Sequence, residues 1–454
     1  MSSVRPPFLK SKHHREVEMN RNDVYTMLDK ALWLRSPVSS MQESGMTLMY
    51  RPGKVIGRTY NPEISTTLDQ LAAWQRRLLG LSGYFHMVNW TTSYTEQVRK
   101  VMSSETTDLL FFEGFAFDED NEGYCHLNPL RQSNIVLSEP GSSNRWADKG
   151  YFRDKVRRKY NSNVTPPSKH MQTLNTQVLK CFVDEIFDQG YGRIIIKVPG
   201  TGGLGNTIIT RESTIYPRWM EQFPKDKPMM VEAYVDWLIS PCTSFFCWQG
   251  EVVFMEMCEQ ILRPKTAGFI GGRSFGFLST LDISALCEFQ RPIAEEAHRE
   301  GIKGFLGIDT ILRKPLHGDE LILPDSGLAV LFIEMNPRLN GHNQERYAIH
   351  RIAQHRGIEP HDVSHLRVGT KPMTNTVDAW SAREKMEEIL SGFASPLLPE
   401  SELDAGKVFF IPAENHGELR PSVLYDGIMF FGKEAEEGIL SAYKYLTELQ
   451  LTKG

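Results

Sequence analysis

Apolar residues recur at helical spacing over residues 66–81, "TTLDQLAAWQRRLLGL", and "TSYTEQVRKVM" at 92–102 places Ser and Thr ahead of a Glu, the pattern of a helix N-cap. Both stretches predict helices. The runs "TDLLFFEGFAF" at 107–117 and "NIVLSE" at 134–139 read as strands, so residues 21–144 are expected to form an N-terminal α/β domain behind a polar, disordered arm at 1–20. Pro140, Gly141 and the Ser-Ser-Asn that follows read as its exit linker.

Beyond the linker the pattern predicts a helix over about 145–160, a loop "NSNVTPPS", a second helix near 171–188 and a strand "RIIIKV" at 193–198. The stretch "MMVEAYV" is a further strand, and "SFFCWQGEVVFMEM" reads as a hairpin turning at Gln249-Gly250. A long helix over "LCEFQRPIAEEAHREG" leads to the strands "GFLGIDTILRK" and "GLAVLFIEMN", with 313–327 expected as a surface insertion between them. After residue 361 the chain shows a strand pair, "KVFFIP" and "SVLYDGIMFFG", and an amphipathic helix at 433–449, a small C-terminal β–β–α segment.

Composition narrows the reading. A net charge of -5 with Lys and Arg scattered along the chain excludes the basic footprint of a nucleic-acid binder. The polar start carries no apolar segment of a secretion signal, and no apolar run approaches the length that spans a bilayer, so a cytoplasmic protein without a membrane partner is expected. Six cysteines form no CxxC pair and are read as buried thiols, and no HExxH pair suggests a zinc hydrolase.

Chemistry concentrates in "FIEMNPRLN" at 332–340. Side chains alternate along a strand, so Glu334, Asn336 and Arg338 fall on one face and Ile333, Met335 and Pro337 on the other. A carboxylate and an amide beside a guanidinium suit Mg²⁺ holding phosphates, because Mg²⁺ prefers hard oxygen donors. A strand end emerging into solvent would read the same way. Asp309, within "GIDTIL", would join this edge if the two strands pair. The loop "KVPGTGGLGN" has Gly200-x-Gly202-x-x-Gly205 after a strand, yet no helix pattern and no GK[ST] follow, so neither a dinucleotide fold nor a Walker loop fits. What remains is a loop of bare amides able to fold over phosphates, with Lys197 as a point charge on the preceding strand.

The order and content of "WADKGYFRDKVRRKYNSNVTPPS", "RIIIKVPGTGGLGN", "VEAYV", "GFLGIDTIL" and "FIEMNPRLNG" resemble the ATP-grasp superfamily of carboxylate-activating ligases over about 145–345. The resemblance implies an α+β ATP-grasp fold, with one subdomain at 145–230 carrying the glycine loop, a second at 231–360 carrying the Mg²⁺ site, and the C-terminal segment at 361–454. It implies that Lys149 and Lys197 touch the phosphates of ATP, with Lys155 open as the alternative to Lys149. Gly202, Gly203 and Gly205 would cover those phosphates. Glu232 would hold the adenine amino group, Val235 would meet the ring through its backbone, and Asp236 would contact the ribose. Asp309, Glu334 and Asn336 would bind Mg²⁺, Arg338 would steady the transferred phosphoryl group, and Arg273, with Arg263, would grip a substrate carboxylate.

The implied reaction activates a carboxylate as an acyl phosphate and joins it to an amine such as an amino acid or peptide, releasing ADP and phosphate. Its partners would be small-molecule carboxylates and amines, with a homodimer as an open assembly. A biotin-carboxylase-like or other ATP-grasp enzyme acting on a non-amino-acid substrate, and a non-catalytic ATP-binding sensor or scaffold, stand as the alternatives. His350 and His355 are read on the wet face of a helix after the metal strand and are given no role.

Overall fold

The computed structural model describes residues 19–35, 46–51, 84–89, 110–113, 135–136, 138–139, 141–171, 173, 175–197, 207–210, 229–262, 269–274, 277–338, 343, 346, 350, 363–368, 394–395, 408–412 and 425–431. The helices predicted at 66–81, 92–102 and 433–449 lie outside them, as do Gly202, Gly203, Gly205, Arg263, His342 and His355.

The first described element is a helix the sequence pattern did not reveal, α1 (Arg21–Lys30), capped reciprocally by Asn20 and Asp23. A mixed sheet follows, built from β1 (Leu32–Arg35), β2 (Met46–Arg51), β3 (Tyr84–Asn89), β4 (Leu110–Glu113) and β5 (Ile135–Val136) in the order β3-β2-β1-β4-β5. β1, β4 and β5 run parallel, whereas β2 and β3 run antiparallel to their neighbours.

The single helix expected over 145–160 is two helices, α2 (Ser142–Ala147) and α3 (Lys149–Lys159). Asp148 makes the break: its extended backbone ends α2, and its side chain accepts the Tyr151 N–H at 2.7 Å to start α3. The stretch near 171 is a strand, β6 (Ser168–Met171), and the helix α4 (Thr176–Asp188) begins only after the Asn175 cap. β6 pairs with β9 (Met229–Ala233), and the central pair β9 and β7 (Arg193–Lys197) with β8 (Thr207–Thr210) completes a four-stranded antiparallel sheet, β6-β9-β7-β8. α4 buries Leu179, Val183, Ile186 and Phe187 on the face of that sheet carrying Ile194, Ile196 and Val231. Each such side chain contributes roughly 1.5–3 kcal/mol when fully buried. By the same alternation Ile195, Lys197 and Glu232 point the other way.

A nine-stranded sheet forms the second body of the protein. β10 (Pro241–Trp248) and β11 (Glu251–Leu262) make the predicted hairpin, closed by Gln249 and Gly250 with φ of 50° and 88°, the paired left-handed residues of a type I′ turn. β12 (Phe269–Arg273), α5 (Thr280–Arg299), β13 (Gly304–Arg313) and β14 (Ala329–Asn336) follow. α2, α3 and α5 cover one face of this sheet, with Trp146, Phe152, Leu286, Ile293, Phe245, Leu306 and Phe332 in one core. Val24, Tyr25 and Leu28 of α1 pack with Phe246, Met255 and Phe305 in another.

Two expectations change here. The excursion between β13 and β14 is anchored to the domain: Arg313 grips Asp319 through two 2.8 Å bonds, the Asp282 carboxylate accepts the N–H groups of Asp325 and Ser326, and Leu321 and Leu323 enter the main core. The strands β15 (Val363–Val368), β16 (Ala394–Ser395), β17 (Val408–Pro412) and β18 (Tyr425–Phe431) extend the large sheet through β12, giving the order β14-β13-β10-β11-β12-β15-β18-β17-β16.

Candidate nucleotide and metal site

A cleft, open in part to solvent, separates the inner faces of the two sheets. Its lining divides into two regions. Ile195, Val235, Trp237, Leu262, Ile311 and Ile333 form an apolar slot, while Lys149, Lys197, Glu232, Asp309 and Glu334 supply charge. Trp237 and the neighbouring Tyr234, whose rings lie 5.2 Å apart, were not singled out in the sequence, since aromatic residues after a strand carry no positional signature.

Asp309 stands directly opposite Glu334 across the β13–β14 pair, and Gly307 opposite Asn336. The predicted alternation is broken one residue earlier. Thr310 pairs with Phe332 and Asp309 with Glu334, which leaves Ile333 as an extra residue, a β-bulge. As a result Ile333 and Glu334 both line the cleft, whereas strict alternation assigned Ile333 to the opposite face. Asn336 stays on Asp309's side and donates from Nδ2 to Asp309 Oδ2 at 3.0 Å. Arg338 donates to Asn336 Oδ1 at 3.2 Å, closing a polar chain along the strand end.

Electrostatics follow from burial. Desolvation raises the Asp309 carboxyl above its usual range, although the Cys242 and Gln260 side chains and the Lys149 and Arg338 charges pull it back. Its Oδ1 is buried and makes no hydrogen bond of ordinary geometry. Desolvation likewise lowers Arg338, against the pull of Asp309. Lys149, the first residue of α3, forms an ion pair with Glu334 and keeps 23% of its side chain exposed. Burial first, and the Lys197 charge second, draw its ammonium down to about 7, with Glu232 and Asp309 opposing. Lys155, the alternative first lysine, instead pairs with Glu296 and Glu300 on α5 and the loop after it, away from the cleft.

Glu232 is buried between two cations. Its Oε2 faces Arg153 Nη2 at 2.5 Å and its Oε1 pairs with Lys197. Burial would raise this carboxyl, but Arg153 and Lys197 outweigh it and hold it below its usual range. Each Glu232 oxygen thus faces a cation, and the residue remains in the cleft lining. Lys197 is in turn lowered by burial, with Glu232 opposing. Arg153 is a site residue the sequence pattern conceals, because an arginine inside a basic helix reads as solvated. It is 1% exposed and also donates from Nε to the Ile333 carbonyl at 3.1 Å and from Nη1 to the Pro166 carbonyl at 3.4 Å.

Two assigned residues, and one that was given no role, sit elsewhere. Asp236 is 84% exposed and pairs with Arg193, outside the cleft lining, so its position does not suit a ribose contact. The Arg273 backbone lies on β12 opposite Glu259, four strands from β14 or roughly 19 Å at normal strand spacing. His350, read as wet, is buried, 3% exposed, and stacks on Tyr25 of α1 at 4.1 Å.

Asp309, Glu334 and Asn336 offer hard oxygen atoms on paired strands, and Asp309 Oδ1, buried without a hydrogen bond of ordinary geometry, is a donor of the kind Mg²⁺ takes, so the residues fit that ion. Among the described residues no group of three or more His, Cys, Asp or Glu is arranged to hold a metal; this set has two carboxylates and an amide.

No family model matches the chain, and no curated protein matches it. Solved structures do. A carboxyaminoimidazole ribonucleotide synthase from Aspergillus clavatus complexed with ATP superposes with a TM-score of 0.51 at 15% identity, over 80% of this chain and 87% of that one. The ADP complex of an N5-carboxyaminoimidazole ribonucleotide synthetase superposes with a TM-score of 0.50 at 12% identity, over 79% of this chain and 84% of that one. At such identity the likeness speaks for architecture. The α+β architecture of this chain is the ATP-grasp fold.

Proposed function

We propose that the protein is an ATP-dependent ligase that activates a carboxylate as an acyl phosphate and joins it to an amine, releasing ADP and phosphate. One observation carries the reading: the two sheets enclose a cleft with an apolar slot at one part and Lys149, Lys197, Asp309 and Glu334 at another. A flat base fits the slot, where Val235 meets the ring through its backbone. The triphosphate lies toward Lys149 and Lys197, whose charges bind it.

Asp309, Glu334 and Asn336 hold Mg²⁺ in this reading, and the ion supplies charge neutralisation on the phosphates. Lys149 releases Glu334 to do so and turns to the phosphates, a move its ion pair with Glu334 makes short. Arg338, at the end of the same strand, stabilises the developing charge on the transferred phosphoryl group. Closure of the cleft excludes water, which an acyl phosphate requires. Arg273 is kept as a carboxylate-binding residue of the acceptor region on β12.

The test is phosphate release from Mg²⁺-ATP in the presence of amino-acid pools. Release that depends on an amino-acid pair supports the ligase, and Glu334→Gln abolishes it while leaving the fold intact. The names of the two solved structures keep a second substrate class in view, a ribosyl amine with CO₂ or bicarbonate. Release that responds to such an amine and bicarbonate, but to no amino-acid pool, favours that class. Tight ATP binding without release under any condition favours a sensor, and wild-type turnover in Glu334→Gln refutes the metal assignment.

A further inference from the structure

The bulge at Ile333 places a carbonyl where the β13–β14 ladder has no partner for it. Arg153 Nε supplies one at 3.1 Å. The other end of the same guanidinium meets Glu232 on β9, in the opposite sheet, and Glu232 holds Lys197. Arg153 thus bridges the two walls of the cleft while itself standing outside its lining. It also follows Lys149 by four residues on α3, so one helix face contacts Glu334 through Lys149 and the preceding residue through Arg153.

A buried arginine is costly unless every end of it is used, and an apolar residue of similar volume would fill the space as well. Here the planar fork spans two groups in fixed directions, which the single point charge of a lysine cannot do. We infer that Arg153 is a positioning residue of the cleft: one end of its fork fixes the bulge that turns Glu334 inward, and the other fixes Glu232 and, through it, Lys197. The inference rests on the ATP site proposed above.

Two substitutions in the full chain separate the ends of the fork. Arg153→Lys keeps a charge for Glu232 but loses the bond to the Ile333 carbonyl. Arg153→Gln keeps an amide donor where Nε stood but leaves Glu232 with Lys197 as its remaining ion-pair partner. ATP affinity is measured by calorimetry with and without Mg²⁺, together with melting temperature. Arg153→Lys is expected to bind magnesium-free ATP within about twofold of wild type yet lose about tenfold of the affinity gained on adding Mg²⁺, the usual scale for disturbing the support of a metal ligand. Arg153→Gln is expected to show the opposite split, about tenfold weaker magnesium-free binding with the Mg²⁺ gain kept within about twofold. Equal losses of both quantities in both variants, wild-type values in Arg153→Lys, or failure of both variants to fold would overturn the positioning role in favour of a structural one. If one variant fails to fold, the other decides. A wild-type chain that does not bind ATP overturns the underlying nucleotide reading, and this inference with it, whereas with a wild-type chain that binds ATP the outcome bears on Arg153 alone.

Discussion

Replacing Glu232 by Gln keeps the volume of the side chain and removes one negative charge from between two cations. In the wild-type protein Glu232, Arg153 and Lys197 have side-chain exposures of 3%, 1% and 8%, so none can take refuge in solvent. Removing the anion leaves two buried cations facing a neutral amide, and breaking a buried pair in this way costs about 3–5 kcal/mol. At roughly 2–4 °C per kcal/mol for domains of intermediate size, the melting temperature falls by roughly 6–20 °C near neutral pH.

The pH dependence carries a definite sign. Burial already lowers the folded-state pKa of Lys197, and losing Glu232 lowers it further, while the unfolded chain keeps the ordinary lysine value. Between those two values the unfolded state binds more protons than the folded state, so stability rises with pH. The deficit of Glu232→Gln relative to wild type therefore narrows between pH 7 and 9.5, as Lys197 sheds its proton. ATP, whose phosphates replace the missing anion, raises the melting temperature of the variant more than that of the wild type. Thermal unfolding at both pH values, with and without ATP, checks all three statements. A variant as stable as wild type at pH 7, or a deficit that does not shrink at pH 9.5, refutes the assignment of Glu232 as the shared counter-ion.

Other expectations follow from single contacts. Trp237→Ala strips one wall of the apolar slot and weakens ATP binding about tenfold in calorimetry, while the melting temperature changes little. Asp319→Ala removes two 2.8 Å bonds from Arg313 and one 2.6 Å bond from the Leu316 N–H, releasing the excursion that delivers Leu321 and Leu323 to the core; a loss of about 2–3 kcal/mol in denaturant unfolding is expected. Gly301→Ala would set a Cβ 2.6 Å from Glu139 Cβ at a residue with φ of 105°, so both strain and clash act, and soluble yield and melting temperature fall together. The same substitution at Gly250, φ 88° with nothing within 4 Å, carries strain alone and costs less, about 1 kcal/mol.

The parts of the site legible in the sequence are those set by local pattern. The hairpin at Gln249-Gly250 could be read because a two-residue turn between apolar runs admits few backbone shapes, and the expected pairing of β13 with β14 does bring Asp309 and Glu334 to one edge. The bulge at Ile333 could not be read, because an extra residue leaves the composition of a strand unchanged and shows only in the register with its partner. Arg153 and His350 escape a sequence reading for one reason: each is polar on its own helix and becomes buried only when a distant segment, β9 and β14 for one and α1 for the other, packs against it. Asp148 hid the break between α2 and α3, since a carboxylate that caps a helix and one inside a helix look alike in sequence.

The continuity of the large sheet bears on how the protein can be cut. Cleavage near residue 360, where composition suggested a separate tail, would remove β15 and strip β12 of its outer partner, since Gly271, Gly272 and Arg273 pair with Val368, Arg367 and Leu366. A shortened recombinant chain would then present an open ladder of backbone donors and acceptors next to two glycines, an invitation to intermolecular strand addition. The C-terminal strands are in this sense a cover for the β12 edge, and a shortened chain has to retain β15 to keep that edge paired.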